Sequence, residues 1–274
     1  CFKANWEDKA KNVGEIISEI NISGEHVVFI DDNPVEREIV QAGIEGIEVP
    51  DIEKVEEYIT IIDRNGYFEM PHLNRDDLNR SLYYKQNIKR QEQINKFSDY
   101  TSYLKSLEMK CLIEKVNANN LGRTVQLINK TNQFNFTGYR YTENEVRAYM
   151  DDPQKLILTG SLSDKFGDNG LVSIIMMAQD EDVAAIDLWV MSCRVFKRGL
   201  EYVMFEQLVE HCKARNIGKL RGIYIPTKKN KLLKDFYMSL GFYKISEDDT
   251  QCIYELDIKD YKYNEKVMEV VIND

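Results

Sequence analysis

Two adjacent carboxylic acids stand near the start of the chain, where they could bind a metal ion. Asp31 and Asp32 follow residues 27–30, a β-branched and aromatic run that is typical of a buried parallel strand. Ligands bind at the carboxyl ends of such strands, and paired carboxylates suit a hard cation such as Mg²⁺. Lys9, on the preceding predicted helix, could neutralise a phosphoryl group. A solvated turn before a helix that starts at Pro34 explains the same residues, so both interpretations stay open.

A second group of residues lies where a long predicted strand gives way to a predicted helix. Arg194, Lys197 and Arg198 stand in this connection, and Gly199 follows them. The N-terminus of a helix offers unpaired backbone N–H groups and the positive end of the helix dipole. The segment therefore suits a pyrophosphate or the phosphate of phosphopantetheine. A basic turn that binds no ligand is the alternative.

Three side chains near this connection are candidates for chemistry. Cys193 would stand beside arginine at a helix N-terminus, which should lower the thiol pKa and favour a nucleophile; a buried strand-end cysteine is the alternative. Tyr237 lies four residues before Gly241 on a predicted amphipathic helix. It is either a general acid or a core aromatic, and both roles stay open. Asn230 precedes that helix.

Two polar segments are the remaining candidates. One is rich in amides and the other is a hairpin-like loop with acids and glycines. Such residues either fix a loop through local hydrogen bonds or line a polar site, and composition does not choose between these roles. The candidates are Asn132, Gln133, Asn135, Asp164, Asp168 and Asn169.

The elements that must position these residues form an α/β chain. Helix, strand, helix and strand alternate in residues 1–66, which predicts part of a doubly wound sheet whose other strands would lie upstream of Cys1. Residues 67–108 are predicted as a helical linker. Residues 109–262 are predicted as a mixed sheet flanked by helices, and residues 263–274 as a tail.

Bulk composition excludes several classes of protein. The 274-residue chain has a formal net charge of −10, which argues against non-specific nucleic-acid binding. Its five cysteines form no Cys-x-x-Cys pair, so the sequence predicts reduced thiols in a cytoplasmic protein, without a disulfide framework or a zinc site. No apolar run approaches the ~18 residues that a membrane span needs.

Several segments resemble one family almost segment for segment. The family is that of FkbH-like proteins, which join a haloacid-dehalogenase-type (HAD) domain to a GNAT-like acyltransferase domain. The resemblance covers residues 1–245 and is carried by KANWEDKAKN, HVVFIDDNPVEREIV, KTNQFNFTGYRYT, SCRV and YIPTKKN.

The HAD part of the resemblance assigns roles to the early residues. Lys9 matches the lysine motif, and Asp31 and Asp32 match the acid pair, which implies Mg²⁺. Lys9 and Asp31 would contact phosphate and metal, and Asp32 would support them. The DxDxT segment that carries the nucleophile is absent from this sequence. The chain as given is therefore not expected to form an aspartyl-phosphate.

The GNAT part of the resemblance concerns the later residues. Arg194 and Gly199 match the ends of the pyrophosphate loop, and Lys197 replaces its first glycine, so its side chain would narrow the approach of acetyl-CoA. Asn230 and Tyr237 resemble residues of the fourth GNAT helix, where many members keep a general-acid tyrosine.

The resemblance implies transfer of a glyceryl group from 1,3-bisphosphoglycerate to the phosphopantetheine thiol of an acyl carrier protein. Cys193 would hold the glyceryl thioester, and Arg194 and Arg198 would hold the phosphopantetheine phosphate. An acidic carrier protein would dock on four lysines: Lys197, Lys228, Lys229 and Lys231. Two alternatives are an N-acyltransferase that uses acetyl-CoA and a non-catalytic domain that recruits a carrier protein.

Overall fold

The computed structural model describes residues 1–20, 22–52, 54–69, 80–94 and 96–273. The chain forms two compact units, Cys1–Tyr84 and Lys85–Asp274. Residues 70–79 of the predicted linker lie outside the described residues. None of the helices in the described ranges has the length and apolar composition that a bilayer span needs.

Before residue 70, the described part of the first unit contains the α-helices α1 (Lys9–Ile20), α2 (Pro34–Gly43) and α3 (Tyr58–Arg64). Asn33 caps α2 by accepting a hydrogen bond from the Val35 N–H at 3.0 Å, and Pro34 occupies the first helical position. The two predicted strands are reduced to one parallel bridge between Val28 and Glu48. A HAD-type sheet therefore stays a prediction.

The remaining α-helices are α4 (Arg80–Ile94), α5 (Tyr100–Ser106), α6 (Leu121–Lys130), α7 (Glu143–Met150), α8 (Leu200–Ala214) and α9 (Phe236–Ser239). All of them except the start of α4 belong to the second unit. A capping box is present at α7: the Thr142 hydroxyl accepts from the Glu145 N–H, and the Glu145 carboxylate accepts from the Thr142 N–H.

The second unit is built on one mixed sheet. Its strands are β1 (Lys110–Lys115), β2 (Phe134–Asn135), β3 (Lys155–Asp164), β4 (Gly167–Asp180), β5 (Val183–Met191), β6 (Lys219–Tyr224), β7 (Tyr243–Glu247), β8 (Cys252–Asp257) and β9 (Glu269–Asn273). Their order is β7-β8-β6-β5-β4-β3-β1-β9, and β2 pairs with β5 beside this path. The pairs β5–β6 and β1–β9 are parallel, and the others are antiparallel. The predicted mixed sheet flanked by helices is confirmed.

Three predicted segments differ from the structure. The predicted tail contains β9, which pairs with β1 from Lys110 opposite Glu269. The linker helix α4 is not simply a polar connector, because its Arg90 is only 2% exposed. The helix predicted after Asn230 is broken into a 3₁₀ turn, Lys231–Leu233, and the short α9.

Apolar side chains cover both faces of the sheet. One face packs on α8 through Trp189, Phe205 and Leu208, and the other packs on α6 and α7 through Ile128 and Val146. All five side chains are 0% exposed. The two faces therefore present separate environments on either side of β5.

Candidate functional site

Strand β5 contains a bulge at Asp187. Met177 lies opposite Ile186 and Met176 opposite Leu188, so Asp187 is the additional residue on β5. The parallel pairing with β6 runs only from Val183 to Ile186. Because the pairing stops at the bulge, the carboxyl-terminal half of β5 has no β6 partner. Bulges of this kind re-aim side chains and often lie next to active sites.

Residues 134–136 occupy the space that opens between β5 and β6. Phe134 pairs with Met191 of β5, and the Ile225 N–H, just after β6, donates to the Phe136 carbonyl at 2.9 Å. The rings of Phe134 and Phe136 lie 5.7 and 5.4 Å from Trp189. The protein's own aromatic segment therefore fills the divergence of the two strands.

Asn230 and Asn135 hold this segment in place. The Asn230 side-chain amide donates to the carbonyls of Asn135 and Ile225, each at 2.9 Å. The Asn135 side-chain oxygen accepts from the Gly138 N–H at 2.8 Å. Both asparagines are at most 1% exposed. These contacts give them a structural role in place of the predicted ligand contacts.

The turn before α8 differs from the predicted direct passage of strand into helix. Cys193 lies in a 3₁₀ turn, Cys193–Val195, and α8 begins only at Leu200. The Cys193 residue is exposed and not in a disulfide. Lys197 and Gly199 adopt left-handed backbone angles, with φ of 66° and 88°. The thiol is accessible, but it does not stand at the first turn of α8, so nucleophilic character stays a prediction.

A glutamate of α8 lies at the predicted anion position. The backbone amides of Lys197, Gly199 and Glu201 lower the pKa of the Glu201 carboxylate, but burial, the larger cause, raises it to about 7. Glu201 is 2% exposed, and its Oε2 atom has no hydrogen-bond partner among the described residues. A buried carboxylate of the protein therefore lies beside the amides that were predicted to bind a phosphate.

Arg198 is committed to a buried ion cluster. Arg90 donates to both carboxylate oxygens of Asp164, at 2.7 and 2.8 Å. Arg198 donates to Asp164 at 3.4 Å and to Asn87 at 3.1 Å. Burial and the neighbouring Arg90 lower the pKa of Arg198 to about 10, which leaves it charged at neutral pH. Arg198 and Asp164 were predicted in separate ligand sites, and here they bind each other.

The other predicted residues of the turn keep more exposure. Arg194 donates to the Ser192 hydroxyl at 3.2 Å, and Lys197 is exposed. A Cβ on Gly199 would lie 3.0 Å from the Val267 side chain, so the segment before β9 passes close to the start of α8. Access of a large anion to this turn is therefore restricted by Val267 and by Glu201.

Tyr237 is a core aromatic. It is 0% exposed, and its ring lies 4.4 Å from Phe136 and 5.0 Å from Phe242. Among the described residues its hydroxyl has no hydrogen-bond partner, and burial raises its pKa far above the ordinary value. These contacts favour the core-aromatic alternative, and the general-acid role stays a prediction, because a proton donor needs contact with the reacting group.

The two polar segments order their own loops. Asn132 accepts a hydrogen bond from the Arg140 guanidinium, and Asp168 accepts from the Gly170 N–H at 2.7 Å. Gln133 is exposed. Asn169 is 1% exposed, and its amide nitrogen has no partner in the described ranges. The predicted role as a shared polar site is not visible in these contacts.

The bulge residue Asp187 was missed in the sequence. The Tyr149 hydroxyl donates to its carboxylate at 2.8 Å, and the Thr137 hydroxyl donates to its carbonyl at 3.5 Å. Burial raises the pKa of Asp187, while Tyr149 and Lys155 oppose this shift. A partly buried carboxylate with a raised pKa suits a general base. The only sequence signal was an acid inside an otherwise apolar strand.

In the first unit, Lys9 and Asp31, which were predicted to contact phosphate and metal, contact each other. The Lys9 ammonium lies 2.5 Å from the Asp31 carboxylate, which also accepts from the Asn33 N–H at 2.9 Å. Burial raises the pKa of Asp31, but the bonds from Lys9 and Asn33 lower it by more. Arg37 holds the turn by donating to the Asp31 carbonyl at 3.1 Å.

These residues were tested for a fit to Mg²⁺. Asp32 is exposed, while Asp31 already binds Lys9 and Asn33. Within the described ranges, no three His, Cys, Asp or Glu side chains are grouped to hold a metal ion. The described residues of the first unit therefore do not make a metal site on their own, and the Mg²⁺ site stays a prediction.

Similar solved structures include N-acetyltransferases, each over a little more than half of this chain. The ribosomal-protein-S18-alanine N-acetyltransferase from Escherichia coli is 14% identical over 57% of this chain and 99% of that chain, with a TM-score of 0.43. The PaiA N-acetyltransferase from Thermoplasma acidophilum, in complex with coenzyme A, is 15% identical over 54% and 98%, with a TM-score of 0.42. A GNAT-family acetyltransferase from Staphylococcus aureus Mu50 is 12% identical over 54% and 99%, with a TM-score of 0.43.

No family model matches the sequence, and no curated protein matches it. TM-scores below 0.5 do not establish a common fold, and identities of 12 to 15% do not transfer an activity. The functional assignment therefore depends on the geometry around β5.

Proposed function

We propose that the Lys85–Asp274 unit is an acyltransferase whose acceptor binds beside Asp187. The observation that carries this proposal is the Asp187 carboxylate at the β5 bulge, hydrogen-bonded to Tyr149 and raised in pKa by burial. Asp187 would take a proton from the acceptor amine as its nitrogen attacks a thioester carbonyl. The carbon–sulfur bond then breaks, and the thiolate leaves and takes up a proton. Coenzyme A is the donor of the simplest version of this reaction.

The surroundings of Asp187 support a base at this position. Burial, with the Asp187 charge as the second cause, raises the pKa of Tyr141 to about 12. The same two causes raise the pKa of Tyr149, so both tyrosines keep their protons at neutral pH. Two neutral hydroxyls and one carboxylate form a polar environment on the α6 and α7 side of β5. Proton transfer from a positioned base contributes about 100- to 10,000-fold to a reaction rate.

Acetyl-CoA turnover with a panel of primary amines tests the proposal. Asp187→Asn should lower kcat/KM about 100- to 10,000-fold without loss of folded structure, because the amide cannot accept the proton. Asp180→Asn is the matched control, since Asp180 is an exposed acid at the end of β4. Full activity in Asp187→Asn, or the absence of turnover with every acceptor in the wild-type protein, would overturn the proposal.

A second candidate is a domain that recruits an acidic carrier protein without catalysis. The observation that favours it is the closure of the predicted donor site, because the buried Glu201 carboxylate lies beside the amides of Lys197 and Gly199 and residues 134–136 fill the strand divergence. A bound CoA pyrophosphate would have to displace the Glu201 carboxylate. Under this candidate, CoA binding is weak and Asp187→Asn changes nothing.

Lysines on the turn after β6 are the proposed docking charges. Lys228, Lys229 and Lys231 are exposed together, and Lys197 is exposed on the turn before α8. Replacing the three with glutamate should weaken carrier-protein binding in an NMR titration at least tenfold. The same change at three other exposed lysines, Lys130, Lys259 and Lys262, is the matched control. Equal weakening by both triple variants would contradict a defined docking surface.

Glyceryl loading, which the FkbH-like resemblance implies, is the narrower form of acyl transfer. The supporting observation is the exposed Cys193 thiol. The Cys193 thiolate would attack the acyl carbon of 1,3-bisphosphoglycerate and release phosphate. Intact-mass analysis should then show an acyl adduct on the wild-type chain and none on Cys193→Ala, although four other cysteines remain. An adduct of equal yield in both proteins would exclude Cys193.

The first unit is proposed, separately, to contact a phosphoryl group. The Lys9–Asp31 pair is the observation that supports it. An NMR titration with inorganic phosphate and Mg²⁺ should shift the Lys9 and Asp31 signals, and Lys9→Met should abolish the phosphate-dependent shift. Unchanged spectra for the wild-type chain at millimolar phosphate would contradict this assignment.

A further inference from the structure

A cavity of about 520 Å³ lies on the α8 side of the sheet, away from the Asp187 carboxylate. Its walls come from α5, from the first half of α8 and from residues 264–267. The apolar part is formed by Leu104, Val203 and Val267, and the rings of Tyr100 and Tyr202 complete it. The volume is within the range of small-molecule sites in proteins.

Two buried carboxylates line this cavity. Glu201 and Glu206 are 2% and 4% exposed. The Glu206 carboxylate accepts one hydrogen bond, from the Asn264 N–H at 2.8 Å, and the backbone amides of the turn before α8 lower the pKa of Glu201. Yet the Oε2 atom of each is buried with no hydrogen-bond partner in the described part of the chain. Buried polar atoms without partners are rare in folded proteins, and they indicate an absent donor.

The charges around the cavity favour a cationic ligand. The lining side chains are the acids Glu201, Glu206 and Glu265 and the bases Lys197 and Lys266. Glu265 and both lysines are exposed, and Glu265 pairs with Lys105 at 2.7 Å. Among the described residues that line the cavity, the charged side chains that are buried are therefore both carboxylates.

The spacing of the two acids limits the length of the ligand. The two residues are five positions apart on α8, which corresponds to a rise of roughly 7.5 Å along the helix. Two ammonium groups joined by a short alkyl chain match a rise of this size, with one group on each carboxylate. The alkyl part would lie against the apolar wall, and the tyrosine rings would contact the cations.

We propose that this cavity binds an organic dication, two primary ammonium groups joined by a short alkyl chain, with one group on Glu201 and the other on Glu206. Each ammonium supplies three N–H donors and so satisfies the partnerless Oε2 atom. The site is distinct from the acyl-transfer site, because it lies on the α8 face and uses no residue around Asp187.

Titration calorimetry with 1,4-diaminobutane on the full chain tests the proposal. We expect saturable binding at physiological ionic strength, no binding of 1,4-butanediol, and weaker binding of 1-aminobutane. Glu201→Gln and Glu206→Gln should each raise the dissociation constant at least tenfold. Glu210→Gln is the matched control, because Glu210 is an exposed glutamate on the same helix. It should leave the dissociation constant unchanged.

Three results would overturn the proposal. The first is the absence of saturable heat up to roughly 10 mM diamine, which would place the dissociation constant above that concentration. The second is equal binding of 1,4-butanediol, which would indicate simple filling of an apolar cavity. The third is an equal loss in Glu210→Gln, which would indicate attraction to the acidic surface. Thermal unfolding of each variant checks that it folds. If Glu201→Gln does not fold, the result for Glu206→Gln decides the outcome.

Discussion

The turn before α8 and the bulge in β5 lie in the same strand–turn–helix segment but differ in how their polar groups are used. The turn carries a recognisable sequence pattern, and its groups face charges of the protein itself: the buried Glu201 carboxylate lies beside the amides of Lys197 and Gly199, and Arg198 donates to Asp164. The bulge carries no pattern. Its residue, Asp187, is nevertheless partly exposed and has a raised pKa.

The difference shows what a phosphate-binding pattern establishes. Backbone N–H groups at the start of a helix attract any anion, and a carboxylate of the same helix competes with a phosphate for them. Glu201 lies in the first turn of α8 and is therefore always close to these N–H groups, whereas a phosphate has to bind from solution. The pattern therefore identifies the capacity to bind an anion, while the burial of Glu201 decides which anion is bound.

Asp164→Ala is expected to have the largest effect, because it separates the structural function of the turn from any binding function. Removing the carboxylate leaves the guanidinium groups of Arg90 and Arg198 buried without their counter-charge. Breaking a buried pair in this way costs about 3–5 kcal/mol of the free energy of unfolding. Urea denaturation measures the change.

The control for this prediction is Asp168→Ala in the same hairpin. Asp168 is exposed and accepts one local hydrogen bond, so its loss should cost about 1 kcal/mol or less. Similar costs for the two variants would show that the ion cluster adds little, and would return Arg198 to the set of residues available to a ligand.

Local patterns predicted most of the second unit. The capping box of Thr142 and Glu145 and the two strands that flank the hairpin loop, β3 and β4, depend on neighbours in sequence, and the structure contains them. By contrast, β9 depends on pairing with β1, far away in the chain. β2 is only two residues long. Elements that are set by distant partners leave little periodicity to find.

The candidate site was harder to predict for the same physical reason. A sequence shows that Arg198 and Asp164 are charged, but it does not show that they neutralise each other, so each was assigned to a ligand. It also does not show that a bulge turns Asp187 toward Tyr149. Burial of Glu201 and Glu206 depends on residues 264–267, which were predicted as tail. Motifs therefore located the region, and the packing assigned the roles.

Glu201→Gln should give the second largest effect, as a change in the pH dependence of stability. The pKa of Glu201 is about 7 in the folded protein, above the ordinary value of 4.5. The folded state therefore holds the proton more tightly than the unfolded state. This stabilisation is fully present below pH 4.5 and is lost as the pH rises through 7, by on the order of 3 kcal/mol.

The measurement is urea denaturation between about pH 4.5 and pH 7.5. Wild-type protein should lose stability relative to Glu201→Gln over this interval, whereas Glu210→Gln should follow the wild-type curve. Parallel curves for wild type and Glu201→Gln would mean that the carboxylate is ionised in both states. The turn would then hold a fully charged internal anion, and the contrast with Asp187 would be sharper still.

Tyr237→Phe should have the smallest effect, and it separates the core aromatic from the catalytic assignment. The Tyr237 hydroxyl is buried without a partner among the described residues, so its removal should change the free energy of unfolding by less than about 1 kcal/mol, in either direction. Acyl transfer should be unaffected. Tyr149→Phe is the control, because its hydroxyl donates to Asp187 at 2.8 Å, and it should lower both stability and turnover. A loss of turnover in Tyr237→Phe at unchanged stability would contradict the core assignment. It would mean that residues 134–136 move away and that the Tyr237 hydroxyl then reaches the reacting group. The aromatic segment between β5 and β6 would in that case cover a donor site.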